Sequence, residues 1–269
     1  MRIDAHHHLW DLSRRPQEWL EPLGPIHRSF GVDDLPPGFD HTVLVQVLAD
    51  LDETREFLAL AAASDRIAGV VGWVDLTAPD VGDVLDSLPA GLVGVRHLVQ
   101  AEPDPRWLLR PDVQRGLRAV GARGLVYDLL TLPPQLPAAI ELVTTLPDVR
   151  FVLDHLSKPP LATGDLASWA GELRRLAAAP NVVAKLSGLV TEANWASWSV
   201  ADLRPAVEVA VESFGPDRLM FGSDWPVCLL AAPYADVVKA TEELVADLSA
   251  DERAAIFGGT AAATYGLVP

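Results

Sequence analysis

The sequence predicts a single-domain α/β protein, a (β/α)8 TIM barrel over residues 1–269, and three observations carry that prediction. Eight short apolar runs rich in β-branched residues recur along the chain. Segments of helical period separate them at roughly 30-residue spacing, as the strand–helix units of a barrel require. A chain of 269 residues with 49% hydrophobic content can fill one large core.

The runs cover residues 2–8, 42–47, 68–76, 92–99, 124–130, 150–156, 181–187 and 219–225. Each is too continuous for a strand with one wet face and suits a parallel strand buried on both sides. Between them, Leu166, Trp169, Leu173 and Leu176 share one face of a helix over 165–178, with Asp165 placed to cap it. Tyr234, Val237, Val238, Leu244, Val245 and Leu248 do the same over 232–248, where Pro233 suits a first turn. The stretches "RLMFGSDWPV" and "ERAAIFGGTAAATYGL" close the chain as a last strand and two helices. A doubly wound open sheet is the competing arrangement. It usually carries a glycine-rich phosphate turn after its first strand, and residues 5–9 contain no glycine.

Thirty-seven acidic against 21 basic residues give a net charge of −16. Such a surface repels phosphate backbones and anionic lipid, so neither nucleic acid nor membrane is expected as a partner. The single cysteine, Cys228, excludes an intrachain disulfide and fits a reducing cytoplasm. Asp4 and the histidines interrupt any leader-like apolar segment, and no run approaches the roughly 20 residues of a spanning helix. Prolines and glycines are scattered, without a linker.

In a barrel, side chains at the C-terminal strand ends converge on the active site. Strand one ends His6-His7-His8, and strand two carries Gln46. Strand three carries Trp73 and Asp75, and strand four ends Arg96-His97. Strand five carries Tyr127 and Asp128, strand six Asp154-His155, strand seven Lys185 and Ser187, and strand eight ends Ser223-Asp224-Trp225.

The alternation of a strand puts His6 and His8 on one face and His7 on the other. Two imidazoles so placed can reach one ion; the competing reading is hydrogen-bonded core histidines. Three histidines inside a strand pattern are not a purification tag. Asp224 ends a buried apolar strand, where a carboxylate is costly unless paired, protonated or metal-bound; a helix cap is its alternative role. His155 is either a ligand or a structural histidine. Arg96 and His97 face opposite ways, so one of them enters the barrel centre. A guanidinium there would hold a substrate oxygen by paired donors, unless an acid takes it as an ion pair. Lys158 and Lys185 fit as partners of acids. Trp10, Trp73 and Trp225 can wall a ring or pack the rim.

The motifs "IDAHHHLWD", "AGVVGWVDL", "GVRHLVQAEPD", "FVLDHLSKPP", "NVVAKLSGLVTEA", "DRLMFGSDWPVCLL" and "IFGGTAAATYGL" cover nearly the whole chain. They resemble the sugar-lactonase branch of the amidohydrolase superfamily, which includes L-fuconolactonase-like and L-rhamnonolactonase-like hydrolases. The resemblance implies a (β/α)8 barrel with a His-x-His on strand one (His6 and His8), a histidine after strand six (His155) and an aspartate after strand eight (Asp224). Many two-metal members carry a bridging lysine or glutamate on strand four and a histidine on strand five. Arg96-His97 and Tyr127-Asp128 stand there instead, which speaks against a two-metal site. The branch includes members described as working with zinc and others without a metal, so one divalent ion on His6, His8, His155 and Asp224, or none, is the expectation. Thr260 stands where the closing motif usually has asparagine.

The function so implied is hydrolysis of a small-molecule sugar lactone to its aldonic acid. Asp224 would move the protons, and His6, His8 and His155, with Arg96 or His97, would stabilise the oxyanion. One strand-end arginine is too few for a dicarboxylate substrate, whereas Gln46, His97, Asp128, Trp73 and Trp225 suit a neutral polyhydroxy ring. A single-zinc decarboxylase of the same superfamily and an idle sugar-acid-binding barrel are the competing functions.

Overall fold

The computed structural model describes residues 1–267. Eight parallel strands form one sheet in sequence order: β1 (Ile3–His7), β2 (His41–Val45), β3 (Ile67–Gly72), β4 (Leu92–His97), β5 (Val126–Leu129), β6 (Arg150–Leu153), β7 (Val182–Leu186) and β8 (Leu219–Phe221). The barrel closes between the end of β1 and the loop after β8, where His7 pairs with Trp225 and the His8 N–H donates to the Trp225 carbonyl at 2.7 Å. The chain is therefore a (β/α)8 barrel, as the spacing of the apolar runs predicts. The strands stop short of those runs: the third ends at Gly72 and the eighth at Phe221, so Trp73, Ser223, Asp224 and Trp225 lie on the loops that follow.

The helices are α1 (Leu51–Ala62), α2 (Val81–Ser87), α3 (Pro111–Gly121), α4 (Leu136–Thr145), α5 (Ala167–Ala177), α6 (Leu189–Glu192), α7 (Val200–Phe214), α8 (Tyr234–Leu244), α9 (Ala250–Ala254) and α10 (Thr260–Tyr265). In α5, Trp169, Leu173 and Leu176 are buried as their spacing predicts. Asp165 is not its cap: Leu166 holds that position, its carbonyl accepting the Ala170 N–H at 2.8 Å, and the Asp165 carboxylate makes no cap bond. Pro233 directly precedes α8, where its missing N–H costs nothing. Strand–helix alternation fails once, because β1 is followed by single 3-10 turns rather than an α-helix before β2.

Two apolar clusters flank the barrel wall. The inner one joins Ile3, Ala5, Val43, Val45, Val71, Val126, Val152 and Met220, and α10 plugs it from below with Ala261 and Tyr265. The outer one seats the helices. Between Asp4 and His7 the register with β2 slips, so that these residues pair with Thr42 and Leu44. One extra residue in β1 makes this a bulge, and it changes which side chains face inward. Ala5 packs in the inner cluster, and the neighbouring His6 also enters the barrel, beside Arg96 and Lys185. Among the described residues no helix is long and apolar enough to cross a membrane.

Candidate active site

The barrel floor above the valine layer is a buried charge network. Lys185 Nζ lies 2.6 Å from Asp128 Oδ2, 3.0 Å from Asp154 Oδ1 and 3.1 Å from His6 Nδ1. The Tyr265 hydroxyl donates to Asp128 at 2.8 Å from the plug helix α10. Arg96 NH1 donates to Asp154 Oδ2 at 3.0 Å and approaches His6 Nε2 at 3.3 Å. Its Nε and NH2 donate to Gln46 Oε1 at 3.2 and 2.9 Å, and NH2 also reaches the Gln46 carbonyl. Four of the five guanidinium N–H groups thereby meet oxygens of Gln46 and Asp154, and the fifth points towards His6 Nε2. Two cations and two carboxylates balance, and burial of each charge is offset by its partner. Burial works against ionised Asp154, but Lys185 and His6 outweigh it and hold this carboxyl well below the usual range.

Above this floor, three imidazoles and a carboxylate converge. His6 Nε2 and His8 Nε2 are 3.2 Å apart. Asp224 Oδ1 lies 3.4 Å from His8 Nε2, 3.7 Å from His6 Nε2 and 4.0 Å from His155 Nε2. The Val45 carbonyl accepts from His8 Nδ1 at 2.8 Å, which fixes the tautomer and leaves the His8 Nε2 lone pair aimed into the cluster. His155 Nδ1 is bonded to Ser187 Oγ at 2.8 Å. Burial drives His155 down to about 4 against the pull of Asp224, and drives His6 well below its ordinary value, helped by Lys185. Burial also opposes ionisation of Asp224, yet His155, His8 and His6 hold it below the usual carboxylate range. The working state near neutral pH is thus neutral His6 and His155 around a carboxylate.

A tetrahedral ion with ligand bonds of roughly 2.0–2.2 Å needs its donor atoms roughly 3.3–3.6 Å apart. The spacings of 3.2, 3.4 and 3.7 Å among His6, His8 and Asp224 fit that requirement. Lone pairs and a carboxylate oxygen brought this close repel one another unless a proton or cation lies between them. Behind His6, Asp154 Oδ1 stands 3.4 Å from Nδ1, the outer carboxylate that metal-ligating histidines commonly have. His6, Asp154 and His155 form a second group with ligand atoms in reach of one another, but Asp154 is already held by Lys185 and Arg96.

Unusual backbone sets two of these side chains. His155, Leu156, Ser157 and Lys158 all have positive φ, between 50° and 56°, and form a left-handed turn after β6. Non-glycine residues pay on the order of 1–2 kcal/mol each for this conformation. The turn is pinned by Trp169 Nε1 donating to the Leu156 carbonyl at 2.7 Å and by Ser157 Oγ bonding Thr131 Oγ1 at 2.8 Å. Asp224 also has positive φ, 57°, and its N–H donates to the His6 carbonyl at 2.9 Å. Asp4 ties this corner together: its Oδ1 accepts the Ser223 N–H at 2.8 Å and the His6 N–H at 3.3 Å. Glycine permits the close packing at Gly222, where a Cβ would stand 2.6 Å from His6 Cβ.

The cluster opens into a cavity of about 430 Å³ lined by His8, Trp10, Trp19, Val47, Leu48, Arg96, Leu98, Gln100, Leu130, His155, Lys158, Asp224 and Val227. His6 lies beneath this lining. Of the remaining residues singled out in the sequence, Gln46 is buried against Arg96 and Asp128 lies in the floor network. Between Arg96 and His97, it is Arg96 that enters. His97 faces away: Trp73 Nε1 donates to its Nδ1 at 3.0 Å, Glu102 lies 2.7 Å from its Nε2, and Trp107 stacks on it at 4.2 Å. Trp225 packs edge-on against Phe30 at 5.2 Å rather than lining the cavity. His7 also faces away, and its two ring nitrogens have no partner among the described residues. Lys158 pairs with Glu192 at 3.6 Å.

The sequence reading gave no role to Asp4 or Asp154 and left Tyr265 out. Asp154 was signalled by its place beside His155 at a strand end. For Asp4 the alternation pattern misleads, because it puts Asp4, His6 and His8 on one face and only the bulge separates them.

A profile of the family described as amidohydrolase matches residues 3–267. An L-fucono-1,5-lactonase from Burkholderia multivorans is 42% identical over 285 residues, covering 99% of this chain and 96% of that one. A second L-fucono-1,5-lactonase, from Burkholderia ambifaria, is 38% identical over 276 residues, covering 98% and 95%. The crystal structure of a Burkholderia multivorans amidohydrolase with bound zinc superposes with a TM-score of 0.94 at 41% identity, over the whole of both chains.

Proposed function

The chain belongs to the amidohydrolase family, and we propose that it opens a sugar-derived lactone of the L-fucono or L-rhamnono type to the aldonic acid. The observation that carries this reading is an ionised, buried Asp224 encircled by His6, His8 and His155 at the floor of a cavity sized for one sugar ring. The full-length likeness to L-fucono-1,5-lactonases supports the same reaction.

His6, His8 and Asp224 would hold one divalent ion, with zinc favoured by the nitrogen-rich donor set. Bound there, it would polarise the lactone carbonyl and acidify a water molecule. The chain's own groups account for the proton traffic. Asp224 takes a proton as the water oxygen adds to the ring carbonyl carbon. When the bond between that carbon and the ring oxygen breaks, Asp224 returns the proton to the departing oxygen, which leaves as a hydroxyl of the aldonic acid. His155, oriented by Ser187 Oγ, can direct Nε2–H at the oxyanion, a donor worth about 100- to 1,000-fold in turnover at such sites. Four of the five Arg96 N–H groups are taken by Asp154 and Gln46, so its main part is to hold these two residues and to charge-balance the floor. With at most one N–H left, Arg96 cannot offer the free guanidinium pairs that a dicarboxylate substrate would need.

The test is acid release, read by pH indicator, from a panel of L- and D-sugar lactones by wild type and Asp224→Asn, with a blank for spontaneous opening. Turnover that falls about 100- to 10,000-fold in Asp224→Asn is the expected result. Failure of wild type to open any lactone, or full activity in the variant, sinks the reading.

A further inference from the structure

Hydrogen bonds already occupy most donors around the cavity. Trp10 Nε1 donates to the Arg28 carbonyl at 2.6 Å and Trp19 Nε1 to Gln17 Oε1 at 2.7 Å. Of the two cations in the cavity wall, Arg96 gives four of its N–H groups to Gln46 and Asp154. Lys158 is the other, and its ammonium is nearly free. Nζ makes no hydrogen bond among the described residues, and Glu192 Oε1 stands off at 3.6 Å, an ion pair longer than a hydrogen bond. The ammonium is not sealed in either: 24% of the side chain is exposed, and Nζ is not among the buried unpaired atoms.

Backbone and neighbours fix where that ammonium sits. Lys158 closes the left-handed turn after β6 with φ 54°, and its N–H donates to the His155 carbonyl at 2.8 Å. Glycine would take this φ without penalty, so the backbone alone does not call for lysine. The ion pair is not what ties the two loops together, because the Ala162 N–H already donates to the Glu192 carbonyl at 3.0 Å. Glu192, on α6, instead restrains the end of a long side chain. Both charges lie towards the histidines and Asp224. Lys158 adds to the burial that holds His155 down to about 4, and Asp224 adds to the burial that raises Glu192. Val47, Leu48, Leu98, Leu130 and Val227 make the rest of this wall largely apolar. One restrained ammonium in an apolar wall is the kind of polar group that orients a bound ring.

We infer that the Lys158 ammonium donates to a ring hydroxyl of the substrate and so selects hydroxylated over deoxy lactones; this deepens, and rests on, the lactone-hydrolase reading above. An ammonium has three N–H groups, and Glu192 occupies at most one of them. A neutral ring can take another and leave the ion pair intact, whereas a carboxylate would compete with Glu192. A site built to meet a hydroxyl rejects the analogue that lacks it, because its own polar group is then left unpaired.

The test crosses wild type and Lys158→Met, which keeps the stem and removes the charge, with a set of substrates. These are the sugar lactone that wild type opens fastest and its monodeoxy analogues, each lacking one ring hydroxyl. Binding of the matching hydrolysis-resistant lactams is measured by calorimetry. On the parent lactone the variant should lose roughly 10- to 100-fold in kcat/KM, mainly through KM, with lactam affinity falling in step. On one deoxy analogue the two proteins should agree within about twofold, because the interaction is already gone from both. The melting temperature should move little, since a partly exposed ion pair contributes little to stability. An equal loss on every analogue, unchanged affinity for the parent lactam, or a large fall in melting temperature would overturn the assignment. So would a loss confined to inhibition by the aldonate product, which would give Lys158 to a carboxylate instead. If wild type opens no lactone, the same pattern among the lactams means that the reaction is wrong and the role of Lys158 stands. Without that pattern both fall.

Discussion

Lys185 Nζ stands 2.6 Å from Asp128 Oδ2 in the centre of the barrel, with both side chains fully buried. The pair sits between the apolar plug and His6 and also reaches Asp154. Lys185→Met leaves two carboxylates without their ammonium and should cost about 3–5 kcal/mol by denaturant unfolding. Adding Asp128→Asn should recover part of that loss, because the unpaired charge is the larger share of it. If the double variant is less stable than Lys185→Met, the pair is not what balances the floor.

Gly188 has φ 64°, and a Cβ there would stand 2.6 Å from His155 Nδ1. Gly188→Ala should therefore displace the imidazole and break its bond to Ser187 Oγ. A displacement near 1 Å is expected to lower kcat about 100-fold. The cost in stability should be smaller, on the order of 1–2 kcal/mol for the left-handed alanine. Steady-state kinetics and thermal unfolding separate the two. An alanine variant with full kcat would show that His155 need not be held where it is.

The barrel and its cluster of histidines and Asp224 are legible in the sequence because they follow local rules. The apolar runs give the strands, and the polar residues that end them, from His6 to Asp224, gather where strand ends converge. What escapes depends on partners distant in sequence. Gln46 and Asp128 are polar strand-end residues like His155, yet Arg96 and Lys185 consume them, and nothing within a few residues of either announces it. His97 is lost to the cavity through the ordinary alternation of β4, and its bond to Trp73 takes that residue along. The plug by Tyr265 crosses 137 residues to reach Asp128.

Removal of a divalent ion should destabilise the folded chain, since His6, His8 and Asp224 converge only in the native state. An ion present at 1,000 times its dissociation constant contributes about 4 kcal/mol. Metal analysis of protein as purified should find about one zinc per chain. Chelation should lower the melting temperature, and added zinc should restore it. His8→Ala should no longer respond to either treatment. Equal melting temperatures with and without chelator, at full turnover, would leave the histidines as hydrogen-bonding groups only.

Glu53 provides a pH dependence away from the cluster of histidines and Asp224. Its Oε2 accepts the N–H groups of Val47 and Leu48, at 2.8 and 2.9 Å, and so shapes two residues of the cavity wall from behind. Burial pushes its carboxyl from an ordinary 4.5 up to about 7, although both N–H bonds favour the charged form. Below pH 4.5 the group is protonated whether the chain is folded or not. Between pH 4.5 and 7 the unfolded chain releases the proton while the folded chain keeps it, so the unfolded state gains and stability falls as pH rises. The difference corresponds to about 3 kcal/mol, complete above pH 7. Glu53→Gln retains an oxygen for both N–H groups and has nothing to ionise. Its unfolding free energy, measured in denaturant from pH 4.5 to 8, should therefore lack this decline and exceed that of wild type at the alkaline end. Parallel curves for the two proteins would mean that Glu53 is ionised throughout and that its N–H bonds outweigh its burial.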